Sequence, residues 1–253
     1  MVTSSDYNGD GKTEISVLSY GTSTQSLLIE NLLFNGWNRT INIYTTSFIT
    51  PFIGDFNGDG KYDFFYRNEN EEKLYMRYAD NFYEEQNTLG QYGNNTFTTP
   101  AVGDYDMDGS DDLALVTNSG SLLVDVCCNG FNGWDYTHQL PWNNISFSNC
   151  IIVTSDFDGD GKADIGMFRK DTKTWYFDLT YNSFGSQDSY MSLSSYIGNI
   201  SNKIVSAVAT DYDGDGIADL AVFVGDSTQT TVYILLTKEK FYQVHSYVYS
   251  INT

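Results

Sequence analysis

Five short segments hold most of the side chains that could do chemistry. They read DYNGDGKTE from Asp6, DFNGDGKYD from Asp55, DYDMDGSDD from Asp104, DFDGDGKAD from Asp156 and DYDGDGIAD from Asp211. Positions 1, 3, 5 and 9 carry side-chain oxygens: Asp6, Asn8, Asp10 and Glu14; Asp55, Asn57, Asp59 and Asp63; Asp104, Asp106, Asp108 and Asp112; Asp156, Asp158, Asp160 and Asp164; Asp211, Asp213, Asp215 and Asp219. Position 7 (Lys12, Lys61, Ser110, Lys162 and Ile217) can add its backbone carbonyl. Several hard oxygen donors on one tight anionic loop suit Ca2+, bound at roughly 2.3–2.6 Å, better than Mg2+, which keeps its waters and an octahedral shell. The loops offer no nitrogen or thiolate ligand, so Zn2+ is not expected. A glycine at position 6 of every copy permits the left-handed turn that would fold the loop around an ion. An EF-hand also begins D-x-D-x-D-G, but it needs a bidentate Glu at position 12. Here position 12 is Val17, Tyr66, Leu115, Met167 and Val222, which excludes that reading.

The charge balance agrees. The chain has 33 acidic and 13 basic residues and a net charge of −20. Eighteen of the acids occupy ligand positions in the loops, so the remainder nearly balances the basic residues. About five Ca2+ ions are expected, and they would halve the net charge. So acidic a chain excludes a generic nucleic-acid binder, which needs a basic footprint, and argues against docking on anionic lipid. No apolar run reaches membrane-spanning length, so membrane insertion is not expected. The first ten residues show neither the basic nor the apolar region of a signal peptide.

The loops recur at spacings of 49, 49, 52 and 55 residues, and each stands between two apolar runs. The runs before them are Phe52–Gly54, Ala101–Gly103, Ile151–Val153 and Val205–Ala209; those after them are Ile15–Leu18, Asp63–Tyr66, Leu113–Val116, Ile165–Phe168 and Leu220–Val224. Two further strand-like runs follow in every repeat, such as Lys73–Tyr78 with Phe82–Gln86, Leu122–Cys127 with Trp134–Gln139, and Thr174–Leu179 with Ser186–Met191. All are rich in β-branched and aromatic residues. Four antiparallel strands per repeat of about 50 residues define a β-propeller blade. The expected fold is all-β: a single five-bladed β-propeller over residues 1–253, with the Ca2+ loop joining the first and second strands of each blade. The blades fall at about 1–48, 49–98, 99–149, 150–203 and 204–253.

The strand–DxDxDGxxD–strand unit resembles the FG-GAP or VCBS repeat found in integrin α-chain heads and in many extracellular propellers. Gly54-Asp55-Phe56 and Gly103-Asp104-Tyr105 match it closely, and the resemblance covers essentially the whole chain. It implies a loop that cradles Ca2+ on one propeller face, a location outside the cell or at its surface, and a role in adhesion. That family commonly has seven blades, whereas this chain has five repeats.

Other features are secondary. Phe34-Asn35-Gly36-Trp37 and Phe131-Asn132-Gly133-Trp134 repeat a motif in blades one and three. Trp37 and Trp134 are either sugar platforms or aromatics packed between blades. Sequons at Asn38, Asn94, Asn144 and Asn199 are glycan sites if the chain passes through a eukaryotic secretory pathway. Cys127 or Cys128 pairs with Cys150, or all three are buried thiols. No HExxH, GxSxG or phosphate-binding loop occurs, and His138 and His245 fall in fourth strands. Glu69, Glu71, Glu72, Glu84 and Glu85 cluster in blade two on expected loops and outer strands, where charges face water. The chain is therefore expected to be a monomeric binding module for a protein or carbohydrate ligand rather than an enzyme. A lectin with sugar sites between blades is the alternative, followed by a polysaccharide-active enzyme.

Overall fold

The computed structural model describes residues 2–20, 25–30, 39–43, 49–68, 73–81, 86–89, 97–127, 130–131, 133–142, 145–237 and 244–250. Trp37, Cys128, the sequons at Asn38, Asn94 and Asn144, and the five blade-two glutamates lie outside the described residues. Among the described residues no helix is long and apolar enough to cross a membrane. The chain forms two compact units. The first is Met1–Asn95 with Asp108–Ala114 and Val124–Asp135; the second is Thr96–Met107 with Leu115–Leu123 and Tyr136–Thr253.

The fold is all-β and consists of five four-stranded propeller blades, each a meander in which sequence neighbours pair. In the first unit these are β1(Val2–Ser5), β2(Glu14–Tyr20), β3(Gln25–Glu30) and β4(Arg39–Ile43), then β5(Ile49–Gly54), β6(Asp63–Asn68), β7(Lys73–Arg77) and β8(Gln86–Leu89). The second unit holds β13(Cys150–Ser155), β14(Asp164–Arg169), β15(Thr174–Asp178) and β16(Ser189–Ser192), then β17(Ile204–Thr210), β18(Asp219–Gly225), β19(Gln229–Leu235) and β20(Val244–Ser250). The middle sheet, β9(Phe97–Pro100), β10(Leu113–Thr117), β11(Ser121–Asp125) and β12(Tyr136–Gln139), contributes residues to both units.

Burial explains the composition of the strands. Second strands are covered on both faces: β10 is buried throughout, and β14 and β18 nearly so. They accordingly read as continuous apolar runs (LALV, IGMF, LAVFV) rather than as alternating ones. Outer strands are wet, with β12 and β16 mostly exposed. In the first unit Tyr7, Leu18, Ile29, Ile41, Phe64 and Tyr66 share one core cluster. In the second, Phe168, Trp175 and Phe177 of blade four pack with Leu220, Val222 and Leu235 of blade five. Each large side chain so buried contributes about 1.5–3 kcal/mol.

Two strands depart from expectation. The first strand of blade three is Phe97–Pro100, not Ala101–Gly103. Beyond Pro100 the pairing is reduced to a bridge at Gly103, and side-chain hydroxyls hold the carbonyls between: Tyr105 donates to Ala101 O at 2.8 Å and Thr154 to Val102 O at 2.7 Å. Of the expected fourth strand of blade two, Phe82–Gln86, only Gln86 lies among the described residues, where it opens β8. The chain first makes a 3-10 turn at Ala79–Asn81, whose leading amide is held by the Asp63 carboxylate at 2.8 Å. In blade four the outer strand starts at Ser189 rather than Ser186, because a pinned turn occupies the preceding residues.

Close approach between blades fixes one glycine. A Cβ on Gly103 would stand 2.6 Å from the Ala163 Cβ of the next acidic loop, whereas one on Gly198 would meet nothing within 4 Å. Gly103→Ala is expected to destabilise the fold by about 1–3 kcal/mol through overpacking. Gly198→Ala is expected to leave the urea midpoint unchanged, and equal effects of the two variants would refute the contact.

Candidate metal centres

Each acidic loop is wound on its own carboxylates. Asp6 Oδ1 accepts the amide of Gly9 at 2.7 Å and Oδ2 that of Gly11 at 2.8 Å. Asp156 does the same with Gly159 and Gly161 (2.6 and 2.9 Å), and Asp211 with Gly214 and Gly216 (2.6 and 2.9 Å). In the second loop Asp55 holds the amides of Asp59 and Gly60 (3.1 and 2.8 Å). Position 3 accepts from the amide of position 5: Asn8, Asn57, Asp158 and Asp213 do so at 2.8–3.2 Å. Position 5 in turn accepts the amide of position 7 in all five loops, at 2.8–3.0 Å. The turn requires a left-handed residue at position 6, where all five glycines have φ between 80° and 90°. The third loop divides between the two units. Met107 donates to Asp104 Oδ1 at 2.6 Å in the second unit, and Asp106 there is exposed. Asp108, Ser110 and Asp112 belong to the first.

Position 9 plays a different part. Its carboxylate is buried in every copy: Glu14 is 3% exposed, and Asp63, Asp112, Asp164 and Asp219 are 0% exposed. One oxygen accepts the amide of loop position 2, from Tyr7, Phe56, Phe157 and Tyr212 at 2.9–3.1 Å. The other accepts the first amides beyond the third strand: Ala79 to Asp63, Cys127 to Asp112, Thr180 to Asp164 and Thr237 to Asp219, at 2.7–3.0 Å. In blade one the second partner is Asn8 Nδ2, which donates to Glu14 Oε1 at 2.9 Å. The hydroxyls of Thr180 and Thr237 add a bond to the carbonyls of Ala163 and Ala218. Sequence reasoning placed position 9 among the ligands but missed this second hold. The donors, Ala79, Cys127, Thr180 and Thr237, have no side chain common to all four blades because the shared bond is made by the backbone amide.

Successive loops are also tied backbone to backbone. The amide of position 8 donates to the carbonyl of position 1 in the loop before: Tyr62 to Asp6, Asp111 to Asp55, Ala163 to Asp104 and Ala218 to Asp156, all at 2.7–2.9 Å.

The electrostatics of these cradles favour a cation. Burial pushes the carboxyls of Asp63 and Asp164 up to about 7, and neighbouring loop carboxylates push the same way. Burial also raises Glu14 and Asp158. Asp211, ringed by amides of its own loop, is held below the usual range, chiefly by Gly216. In three loops a triad of carboxylates brings ligand oxygens within 4.8 Å of one another: Asp6, Asp10 and Glu14; Asp156, Asp158 and Asp164; Asp211, Asp213 and Asp219. The amide bonds leave carboxylate lone pairs over, since each carboxylate has about four acceptor sites. An all-oxygen donor set of this charge and size fits Ca2+, and a bound cation would draw the raised carboxyls back down.

The remaining sequence candidates are less organised. Trp134 is half-buried and precedes β12. Phe131 of the same motif is a core residue, edge-on to Phe56 and Phe65 at centroid distances of 5.9 and 5.1 Å. Cys127 and Cys150 are free thiols, pushed up by burial to about 12 and about 11. His138 and His245 lie on the outer strands β12 and β20.

Meander blades whose first two strands are joined by an acidic, glycine-turned loop define a repeat-propeller protein. The FG-GAP-like repeat model matches residues 55–115 and 156–222, half of the sequence, and the chain belongs to that family. Its fold is similar to that of the V. cholerae biofilm matrix protein Bap1, at 17% identity over 94% of this chain and 37% of that one, with a TM-score of 0.41. The Dos1 propeller is similar at 12% identity over 93% of this chain and 62% of that one, with a TM-score of 0.44. The chain thus spans less than two thirds of either protein. No curated protein matches it.

The two carboxylate roles separate experimentally. Asp164→Ala strands the buried amides of Phe157 and Thr180, at about 1–3 kcal/mol each, so it is expected to lower the melting temperature in chelator as well as in Ca2+. Asp160→Ala, which gives up one half-buried amide bond from Lys162, is expected to do so mainly in Ca2+. Equal behaviour of the pair in chelator would contradict the assignment.

The pH response follows in sign. Without metal, folded Asp63 and Asp164 titrate near 7, against 3.8 as their ordinary value. The folded state then holds protons that the unfolded chain releases, and this stability is present below about pH 4 and lost as pH rises through about 7. Metal-free protein is expected to melt higher at pH 5 than at pH 7.5, and Ca2+-saturated protein lower. Melting curves at both pH values check the opposed slopes.

Proposed function

We propose that the chain is an extracellular, calcium-loaded recognition module that acts in adhesion as a monomer. The observation that carries this is the repeated triad of carboxylates converging within 4.8 Å on a preformed loop. The side chains that would hold the ions are those of positions 1, 3, 5 and 9, with the carbonyl of position 7. Extracellular modules of this kind bind Ca2+ at roughly 10⁻⁴–10⁻³ M, above cytosolic levels and within reach outside the cell. The reading assigns recognition to protein or carbohydrate and gives no residue a catalytic role.

Ca2+ that binds only the folded loops stabilises by mass action, at about 1.4 kcal/mol per site when present at ten times its dissociation constant. Chelator is therefore expected to lower the melting temperature by many degrees, with recovery on adding Ca2+. An unchanged melting curve would sink the calcium reading.

A glycan ligand is favoured over a protein by one observation. Tyr136 and Tyr190 stand exposed on outer strands, at 50% and 68%, each stacked on a neighbour: His138 at 6.1 Å and Tyr176 at 6.4 Å. Flat, supported rings of this kind suit the apolar face of a sugar. A glycan array probed in Ca2+ is expected to give discrete hits that Tyr190→Ala weakens. An array without hits would shift the assignment to a protein ligand.

A further inference from the structure

Outside the acidic loops, one carboxylate is buried with half its hydrogen-bonding capacity unmet. Asp178 ends β15 and is 0% exposed. Its Oδ2 accepts the amide of Gly185 at 3.0 Å, while Oδ1 is buried without a partner. The same turn holds a second orphan, Asn182 Oδ1. The direction of that carbonyl is fixed, because the amide nitrogen of Asn182 donates to Ser186 Oγ at 2.8 Å and to Asp188 Oδ1 at 2.6 Å. Asp188 closes the turn: its own amide donates to Phe177 O at 2.9 Å, its Oδ2 accepts the amide of Leu179 at 2.8 Å, and its Oδ1 also accepts the hydroxyls of Tyr181 at 3.2 Å and Ser186 at 3.4 Å.

The turn therefore encloses two acceptors with nothing to accept. Burial raises Asp178 only to about 6, so at neutral pH it is mainly an anion, and the nearby charge acting on it is the like charge of Asp188. Asp188 also acts on Asp158 of the fourth acidic loop. A buried carboxylate without a countercharge is costly, and buried acceptors of this kind call for a specific donor or ion. A water would answer the hydrogen bonds but not the charge.

The sequence pattern repeats. Asp178, Asn182 and Asp188 follow D-x3-N-x5-D, and so do Asp125, Asn129 and Asp135 in blade three. There too a glycine amide, that of Gly133, donates to the first Asp at 3.1 Å, and the second Asp accepts the amide of Val126 at 3.0 Å.

We propose that the turn between β15 and β16 binds a calcium-type divalent cation through Asp178 Oδ1, Asn182 Oδ1 and the Asp188 carboxylate, in addition to any ion of the fourth acidic loop. All three ligands are hard oxygens, and two come with negative charge. The inference stands apart from the loop reading, because none of its ligands belongs to a DxDxDG segment.

Equilibrium dialysis against Ca2+, with the bound metal counted per chain, tests it. Asp178→Asn and Asn182→Ala are each expected to remove one ion per chain, Asp160→Ala to remove the ion of the fourth loop, and Asp178→Asn combined with Asp160→Ala to remove both. A count unchanged in Asp178→Asn and Asn182→Ala means that a water fills the turn, and overturns the proposal. A count unchanged only in Asp160→Ala tells against the loop reading and leaves this site supported. Asp178→Asn keeps an acceptor for Gly185. Should that variant lose its β-sheet circular dichroism, Asn182→Ala, on a half-buried side chain, decides the matter alone.

Discussion

The structure hangs on a buried carboxylate that serves two segments at once. At position 9 of four of the acidic loops, one oxygen holds the start of the loop. In the last four blades the other holds the backbone just beyond the third strand. A neutral side chain such as Asn offers one acceptor oxygen and would turn an NH2 donor towards the second amide. Burying a carboxylate is costly, and the upward pull on Asp63 and Asp164 is the sign of that cost. The fold bears it because the second strand, the acidic loop and the turn after the third strand are then fixed in one place. A cation nearby would offset it further.

This coupling places stability and metal affinity on the same residues with different weights. Positions 1, 3 and 5 wind the loop and lie towards solvent, whereas position 9 faces the interior. The outer positions can therefore exchange an ion while the inner one keeps the frame. In blade one, Glu14 replaces Asp and its longer side chain reaches Asn8, so the same hold is built from a different set of atoms.

Much of this was legible in the sequence. The five loops, the four strands per repeat and the exclusion of an EF-hand all follow from spacing, because period and residue type are side-chain properties. The doubly buried second strands could be read from runs such as Leu113–Val116. What escaped was mostly backbone. The edge of β9 could not be placed because the pairing beyond Pro100 shrinks to a bridge at Gly103, where the hydroxyls of Tyr105 and Thr154, the latter in the following blade, hold the carbonyls of Ala101 and Val102. The turn at Asp178 escaped because its pattern appears in two blades, and a search for what all five share passes over it.

The peptide links between successive loops have a consequence for how this architecture diversifies. Position 8 joins one blade to the one before through its amide in every link, with the Asp111 carboxylate adding a bond from the amide of Asp55 at 2.8 Å, and its occupants are Tyr62, Asp111, Ala163 and Ala218, four residues in four links drawn from three chemical types. Any residue except proline carries that amide. The joint between blades thus places little demand on genetic identity, and its bulk is bounded only where the preceding blade closes on it, as Gly103 does on Ala163. Lineages can therefore redraw the surface at the seam while the seam itself stays shut.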